Sequence, residues 1–417
     1  METIYLDHNA TTPTRPEVIE AMAEAYRAGY ANPASQHQPG QRARRVLQQA
    51  REGIAQILGA DLASPKPDRL IFTSGGTEAN VLAVLGIARA RSKKMGVASS
   101  PEAASAEDHR SGSDLARFVS SARGGGQARH LIISAVEHPS VIETAEHLLD
   151  EGWRLDTLGV TSEGVVRVER LAELLRPETA LVSVMLGNHE TGVLEPVAEL
   201  AAICRDHGVP MHTDAVQVAG KLPINFRALG VSAMSIAAHK FQGPLGIGAL
   251  ILDYDVPLQP ILFGGHQQGG LRPGTESVAL AVGMFRALDL WRREQDEHRR
   301  RLTALRERFE RQLKAGYPGL VVNSERAARL PQTSNVAFPG LDGQVLLMAL
   351  DMAGVACSVG SACSSGSTEL SPTLRAMGLP REILAGSLRF SFGATTTERE
   401  IDEAVRRIVH VANELRG

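Results

Sequence analysis

An α/β fold built on a mainly parallel sheet is what this sequence predicts, on three observations. Short apolar runs alternate with helical stretches of roughly 10–15 residues from about residue 69 to residue 250. The chain has 417 residues, more than one ordinary core accommodates, so two domains are expected. Thr77, His138, His189, Asp214, Gln217 and Lys240 each fall just after a predicted strand. In open α/β sheets ligands gather at that edge, outside the carboxyl ends of the strands.

The elements follow in order. Residues 4–6 form a very short strand, and 7–13 a polar turn. Helices are expected over 16–30, where Val18, Met22, Ala25 and Tyr26 share a stripe, and over 41–58, where Val46, Ile54, Ile57 and Leu58 do. The Asn-Pro-Ala-Ser step at 32–35 separates them. A strand over 69–73 runs through Ser74-Gly75-Gly76-Thr77-Glu78 into a helix over 79–90. A strand, a glycine turn and a helix start make a natural anion cradle, because free N–H groups and the helix dipole both favour negative charge there. No Lys-Ser/Thr follows the glycines, so this is not a Walker A loop, and a plain strand-to-helix turn also fits.

Residues 91–127 are rich in Ser, Ala, Gly and charge, carry no period, and predict a flexible surface insertion with a short helix near 114–121. Strands at 130–135, 154–158, 180–185 and 209–213 alternate with helices at 140–151, 168–176 and 197–207. The stretch 235–250 has two apolar runs around His239-Lys240 and a Gly/Pro-rich turn. After residue 257 the pattern shifts to a glycine-rich loop at 263–275 and one long or two broken helices over 278–317. Then come a strand at 335–338, a helix at 344–353, strands at 355–356 and 388–392, and a closing helix at 398–416. Residues 357–369 are small, polar and glycine-bearing, which predicts a mobile loop. The domain boundary is expected near 260–275.

Composition narrows the function classes. A net charge of −3 and 4% aromatic residues leave no nucleic-acid footprint. No apolar run reaches membrane-spanning length, and the N-terminus lacks the pattern of a signal peptide, so a cytoplasmic location is expected. Three cysteines, Cys204, Cys357 and Cys363, do not make a disulfide framework. No His/Cys/Asp spacing matches a zinc site, so no metal is expected, and no G-x-S-x-G elbow suggests a serine hydrolase.

The residues at the strand ends permit carbonyl chemistry. A lysine at a strand end can form a Schiff base once its pKa is lowered. A strand-end aspartate can keep a ring nitrogen protonated, a histidine can lie on an aromatic ring, and a Gly-Gly-Thr helix start can bind phosphate. Together these are the parts that pyridoxal phosphate (PLP) requires. Singly, each also fits a structural role: Lys240 as a surface-turn lysine, Asp214 as a strand-end cap, His138 as a turn residue before Pro139, His189 as a satisfied polar group. Cys363, within Gly360-Ser361-Ala362-Cys363-Ser364-Ser365-Gly366, has polar neighbours that suit an exposed thiol better than a buried one.

In order along the chain stand Tyr5-Leu6-Asp7-His8-Asn9-Ala10-Thr11-Thr12-Pro13, Thr73-Ser74-Gly75-Gly76-Thr77-Glu78, Glu137-His138, Asp214-Ala215-Val216-Gln217, His239-Lys240, Arg272-Pro273-Gly274-Thr275 and Ser361-Ala362-Cys363. This series resembles the NifS/IscS-type cysteine desulfurases, PLP enzymes of the class V aminotransferase fold, over nearly the whole chain except 91–127. The resemblance implies a PLP-dependent transferase-like architecture. Its large domain, 13–262, has a mainly parallel seven-stranded sheet flanked by helices. A smaller α+β C-terminal domain, 263–417 with 1–12, carries the cysteine loop.

The resemblance also implies roles. Lys240 carries PLP covalently and shuttles protons, Asp214 pairs with the ring nitrogen, His138 stacks on the ring and Gln217 meets its hydroxyl. Gly76, Thr77 and His239 hold the phosphate, with Thr275 joining from the other subunit of a homodimer. Arg389 clamps the substrate carboxylate, a bidentate task suited to guanidinium, with Asn9 and His189 beside it. Cys363 takes the sulfur of L-cysteine as a persulfide, releases alanine, and passes the sulfur to an Fe–S scaffold or another acceptor protein. A selenocysteine lyase or other class V PLP enzyme is the alternative, and a degenerate PLP-fold binding protein the remote one.

Two positions depart from the family pattern. His189 stands where an asparagine is usual, in Asn188-His189-Glu190. Ala237 stands where a serine usually precedes the lysine by three residues, which removes one phosphate hydroxyl, worth about 0.5–1.5 kcal/mol if uncompensated.

Overall fold

The structure, a computed structural model, describes residues 3–94, 129–360 and 370–417. Residues 95–128 of the expected insertion, the helix anticipated near 114–121, and Cys363 with its neighbours lie outside the described residues.

The N-terminal half runs β1 (Ile4–Tyr5), α1 (Pro16–Arg27), α2 (Gln38–Ile57), β2 (Arg69–Thr73), α3 (Gly76–Lys94), β3 (His130–Ser134), α4 (Pro139–Asp150) and β4 (Arg154–Leu158). It continues with α5 (Leu171–Leu174), β5 (Thr179–Ser183), α6 (Val197–Asp206), β6 (Met211–Asp214), α7 (Phe226–Leu229), β7 (Ala233–Ala237) and β8 (Gly248–Leu252). Among the described residues β2–β8 form one seven-stranded sheet in the order β2-β8-β7-β6-β5-β3-β4. Neighbours are parallel except β8, which runs antiparallel to both β2 and β7. The mainly parallel sheet expected from the alternation is therefore present. β8 reverses because it returns from β7 through the short Gly/Pro turn, which is too brief for a crossover helix.

Period-two alternation decides which core each strand residue enters. Leu70, Phe72, Ile132, Val182, Met234, Ile236, Ala249 and Ile251 face one side, against α2, α6 and the first half of the longest helix. Ile71, Leu131, Ile133, Leu181, Ala233, Leu250 and Leu252 face the other, against α3 and α4. Both faces are covered, so β3, β5, β7 and β8 are buried at every position.

The C-terminal part contains α8 (Val278–Gly316), β9 (Val321–Val322), β10 (Thr333–Ala337), α9 (Gly343–Met352), β11 (Val355–Ala356), α10 (Pro372–Ala376), α11 (Arg381–Ala385), β12 (Ser387–Ser391) and α12 (Glu398–Arg416). α8 is one unbroken helix of 39 residues. Its first turns bury Val278, Ala281, Met284 and Leu288 in the first core, and its last turns bury Leu302, Leu305, Phe309 and Leu313 in a separate core. That second core lies on the antiparallel sheet β12-β10-β9 and holds α9, α12 and, from the N-terminus, Ile4 and Leu6.

Three local expectations change. The helix expected at 79–90 begins at Gly76, so the glycine pair is the helix start itself. The stretch expected as one helix at 168–176 is a 3-10 turn at Val168–Arg170 followed by the four-residue α5. The part of the expected mobile loop at 357–360 is tied down, because Ser358 and Arg389 exchange both main-chain hydrogen bonds, the Ser358 N–H donating at 3.1 Å and the Arg389 N–H at 2.6 Å. Among the described residues no helix is long and apolar enough to cross a membrane.

Candidate active site

One pocket, a cavity of about 270 Å³, opens at the carboxyl ends of the sheet strands. Parallel strands deliver their following residues to one edge, and β2, antiparallel to β8, points the same way as β7. Gly76 and Thr77 come from the start of α3, His138 from the start of α4, and His189 from the turn after β5. Asp214 ends β6, Gln217 follows it, and His239 and Lys240 lie in the 3-10 turn Ala238–Phe241 after β7. Asn9 arrives from the N-terminal segment and Arg389 from β12. Thr275 does not line this pocket; it is exposed on the loop before α8, which Arg272 ties to Glu78 of α3 by an ion pair of 2.7 Å.

Asn9 ties the turn after β5 to β10 and to the lysine turn. Its Nδ2 donates to the His189 carbonyl at 3.2 Å and to Thr333 Oγ1 at 2.8 Å. Its carbonyl accepts from Gln217 Nε2 at 3.0 Å and from Lys240 Nζ, which also donates to the Ala10 carbonyl at 2.9 Å. The next residues clamp the lysine turn: Thr12 Oγ1 donates to the His239 carbonyl at 2.7 Å and accepts from the Gln242 N–H at 2.7 Å. That turn closes with Gln242 at φ 62.

The aspartate is held by two donors. Its Oδ2 accepts from Asn80 Nδ2 at 2.6 Å and its Oδ1 from the Val216 N–H at 2.8 Å. His138 caps α4, its Nδ1 accepting from the Ser140 N–H at 3.1 Å and lying 2.8 Å from Ser140 Oγ. The His138 and His189 rings meet edge to face with centroids 5.4 Å apart.

Burial and neighbouring cations keep the site's imidazoles neutral. Burial is the main cause for each. His138 is lowered by burial and by the Lys240 charge, against an opposing pull from Asp214. His239 is pushed down to about 4 by burial, helped by Lys240 and Lys221. His189 falls well below its ordinary value through burial, with His138, Arg389 and Lys240 adding to the shift.

Arg389 is 2% exposed. Its Nη2 pairs with Asp7 Oδ1 at 2.7 Å, and its Nη1 donates to the carbonyls of His189 at 3.1 Å and Gly360 at 3.0 Å. Its Nε is buried without a hydrogen-bond partner.

These residues fit PLP on observations of the pocket itself. A Cβ on Gly76 would come within 2.9 Å of the Val216 side chain, which also lines the cavity, so a side chain there would crowd the start of α3. Gln217 Oε1 and His189 Nδ1 are buried with no hydrogen-bond partner, although both residues line the cavity. Buried polar atoms normally find partners, and a polar ligand supplies them. Ala237 also lines the cavity, so the hydroxyl absent from that position faces the site.

Asn80, Ser140 and Lys221 were not singled out in the sequence, yet Asn80 holds Asp214 and Ser140 holds His138, while Asp7 of the N-terminal motif pairs with Arg389. Asn80 carried a usable signal: it stands three residues after Thr77, on the same helical face as the predicted phosphate cradle. The pairing of Asp7 carried none, because its partner lies 382 residues away.

His189→Asn is expected to change the apparent KM for substrate severalfold, the size of one altered hydrogen bond. Because His189 is neutral well above its depressed pKa, the pH profiles of the wild type and the variant should keep the same shape between pH 6 and 8. Steady-state kinetics across that range check both points, and an unchanged KM would remove His189 from substrate contact.

The class-V aminotransferase family model matches residues 4–106 and 115–404. The chain is 38% identical over 413 residues to the cysteine desulfurase IscS of Dictyoglomus turgidum, covering 99% of this chain and 95% of that protein. It is 40% identical over 405 residues to the IscS-like cysteine desulfurase of Mycobacterium tuberculosis, covering 96% and 94%. Among solved structures it is similar to a NifS-like protein, with a TM-score of 0.84 at 31% identity over 99% of this chain and all of the other. A NifS-like protein from Rickettsia africae gives 0.82 at 29% identity, with 99% and 100% covered.

Proposed function

The chain belongs to the class-V aminotransferase family, and on that premise we propose that it is a PLP-dependent cysteine desulfurase. The observation that carries this reading is the convergence of Lys240, Asp214, His138 and the α3 start on one pocket that also holds Arg389.

When bound, PLP supplies an electron sink for charge developing beside the amino-bearing carbon of the substrate. The chain supplies the rest. Lys240 would hold the cofactor covalently through Nζ and afterwards carry protons at that atom. Asp214, fixed by Asn80 and the Val216 N–H, would keep the ring nitrogen protonated. His138 would lie on the ring and Gln217 would meet its hydroxyl. Gly76, Thr77 and His239 would hold the phosphate, joined in a homodimer by Thr275 of the partner subunit. Arg389 would hold the carboxylate of L-cysteine, with Asn9 and His189 lining the same position.

Cys363 would then attack the substrate sulfur. An S–S bond forms, the substrate C–S bond breaks, and its electron pair with a proton leaves as alanine. The persulfide sulfur would pass to an acceptor protein, such as a scaffold for Fe–S assembly. In this reading residues 13–262 form the cofactor domain, and 1–12 with 263–417 the domain bearing Cys363. A cytoplasmic location fits this role.

Reconstitution with PLP followed by addition of L-cysteine tests the reading. The expected result is a visible cofactor band and equimolar alanine and sulfide in the presence of a thiol reductant. A wild-type protein that binds no PLP would overturn it. A strong preference for L-selenocysteine would assign the chain to the lyases instead.

A further inference from the structure

Behind the pocket a second lysine is buried. Lys221 is 6% exposed, and its Nζ donates to the main-chain carbonyl of Lys240. The turn before it makes this approach possible. Gly220 has φ +71, and any Cβ there would collide with Phe241, so only glycine lets the two turns touch.

Among the described residues no carboxylate is hydrogen-bonded to Lys221 or pairs with it. The titratable groups that act on it, or that its charge reaches, come from three elements. Lys240 and His239 lie on the lysine turn, His8 on the N-terminal segment, and His298 on α8. Arg15, Glu294 and Arg301 act on His298 in turn. The three histidines are each pushed down to about 4, first by burial and then by neighbouring charge that includes Lys221. Lys221 and Lys240 line a void of about 20 Å³ together with His298, Trp291, Leu302 and Phe392 among others. A buried ammonium without an anion is costly, and nearby cations disfavour a proton on each other.

We propose that Lys221 is a positioning residue for Lys240: its Nζ clamps the lysine turn through the Lys240 carbonyl and so fixes where Lys240 enters the pocket. The inference rests on the reading that Lys240 carries the cofactor. Lys221 itself is pushed down to about 7 by burial and then by Lys240, so the clamp does not depend on a permanent charge.

The sign of the stability effect follows. In the unfolded chain a lysine titrates near 10.4, so between about pH 7 and 10 the unfolded state binds more protons than the folded one. Lys221 therefore lowers stability at pH 7, and the loss is recovered as pH rises toward 10.

Lys221→Met and Lys221→Gln in the PLP-loaded full chain test the proposal, with Lys221→Arg as the charge-keeping control. The visible band is titrated with pH, and Tm is measured from pH 7 to 10. The midpoint of the band should move by about half to one pH unit in Met, which has no donor for the carbonyl, a threefold to tenfold change in proton affinity, and stay in Gln and Arg, which keep one. The rise of Tm with pH should flatten in Met relative to wild type. Failure of Met alone to hold PLP, with Gln and Arg loaded, reads the same loss of the clamp. A wild-type band with an unchanged midpoint in Met would overturn this inference alone. A wild-type protein with no pH-titrating band would overturn it together with the role of Lys240.

Discussion

Lys240→Ala should abolish turnover, with kcat for alanine formation falling by about a thousandfold or more. The substitution removes the one lysine that lines the pocket among the described residues, and with it the proposed covalent hold on the cofactor and the proposed proton carrier. It also leaves the Asn9 and Ala10 carbonyls without their lysine donor, so the junction between the N-terminal segment and the turn should loosen. Lys240→Arg keeps a charge but supplies no nucleophilic amine, and should be as inactive. Absorbance of the bound cofactor, alanine assay, and partial rescue of Lys240→Ala by an added small primary amine check the argument. Retention of more than about a tenth of the wild-type rate would refute the role.

Cys363→Ala should stop sulfur transfer by a comparable factor while leaving the first encounter with substrate intact. The groups assigned to the carboxylate, Arg389, Asn9 and His189, are anchored on β12, the N-terminal segment and the turn after β5, none of which contains Cys363. L-cysteine should therefore still change the cofactor spectrum, with apparent affinity near that of wild type, and neither alanine nor protein-bound persulfide should accumulate. Cys357 gives the contrast. Its thiol is pushed up mainly by burial, and it packs against the second core. Cys357→Ala should cost stability through lost packing, lowering Tm by a few degrees, and leave persulfide formation in place. Persulfide formation undiminished in Cys363→Ala would transfer the role to another thiol.

How much of this was legible without coordinates varies by element. The sheet was readable because strands buried on both faces have near-continuous apolar runs, as in Ile71, Leu131 and Leu250 with their neighbours. The strand-end residues were readable because α/β topology sends whatever follows a strand to one edge, so Asp214 and Lys240 needed only their own local context. The expected start of α3 lay too late because Gly75 and Gly76 signal a turn by propensity, while the helix already begins at Gly76, which lines the cavity. The split of 168–176 into a 3-10 turn and α5 was not readable, because short segments are decided by tertiary packing rather than by period.

The sequence by itself determined the α/β class, the edge of the sheet where chemistry collects, and the lysine, aspartate, histidine and arginine available to it. These depend on periodicity and on motifs only a few residues long. Only the tertiary structure decided which distant residues support them: Asn9 bridging Lys240, Gln217 and His189, Asp7 on Arg389, Asn80 on Asp214, and Lys221 against the Lys240 carbonyl. Such partners are separated by between 19 and 382 residues, and chain folding, not local pattern, brings them within hydrogen-bond distance.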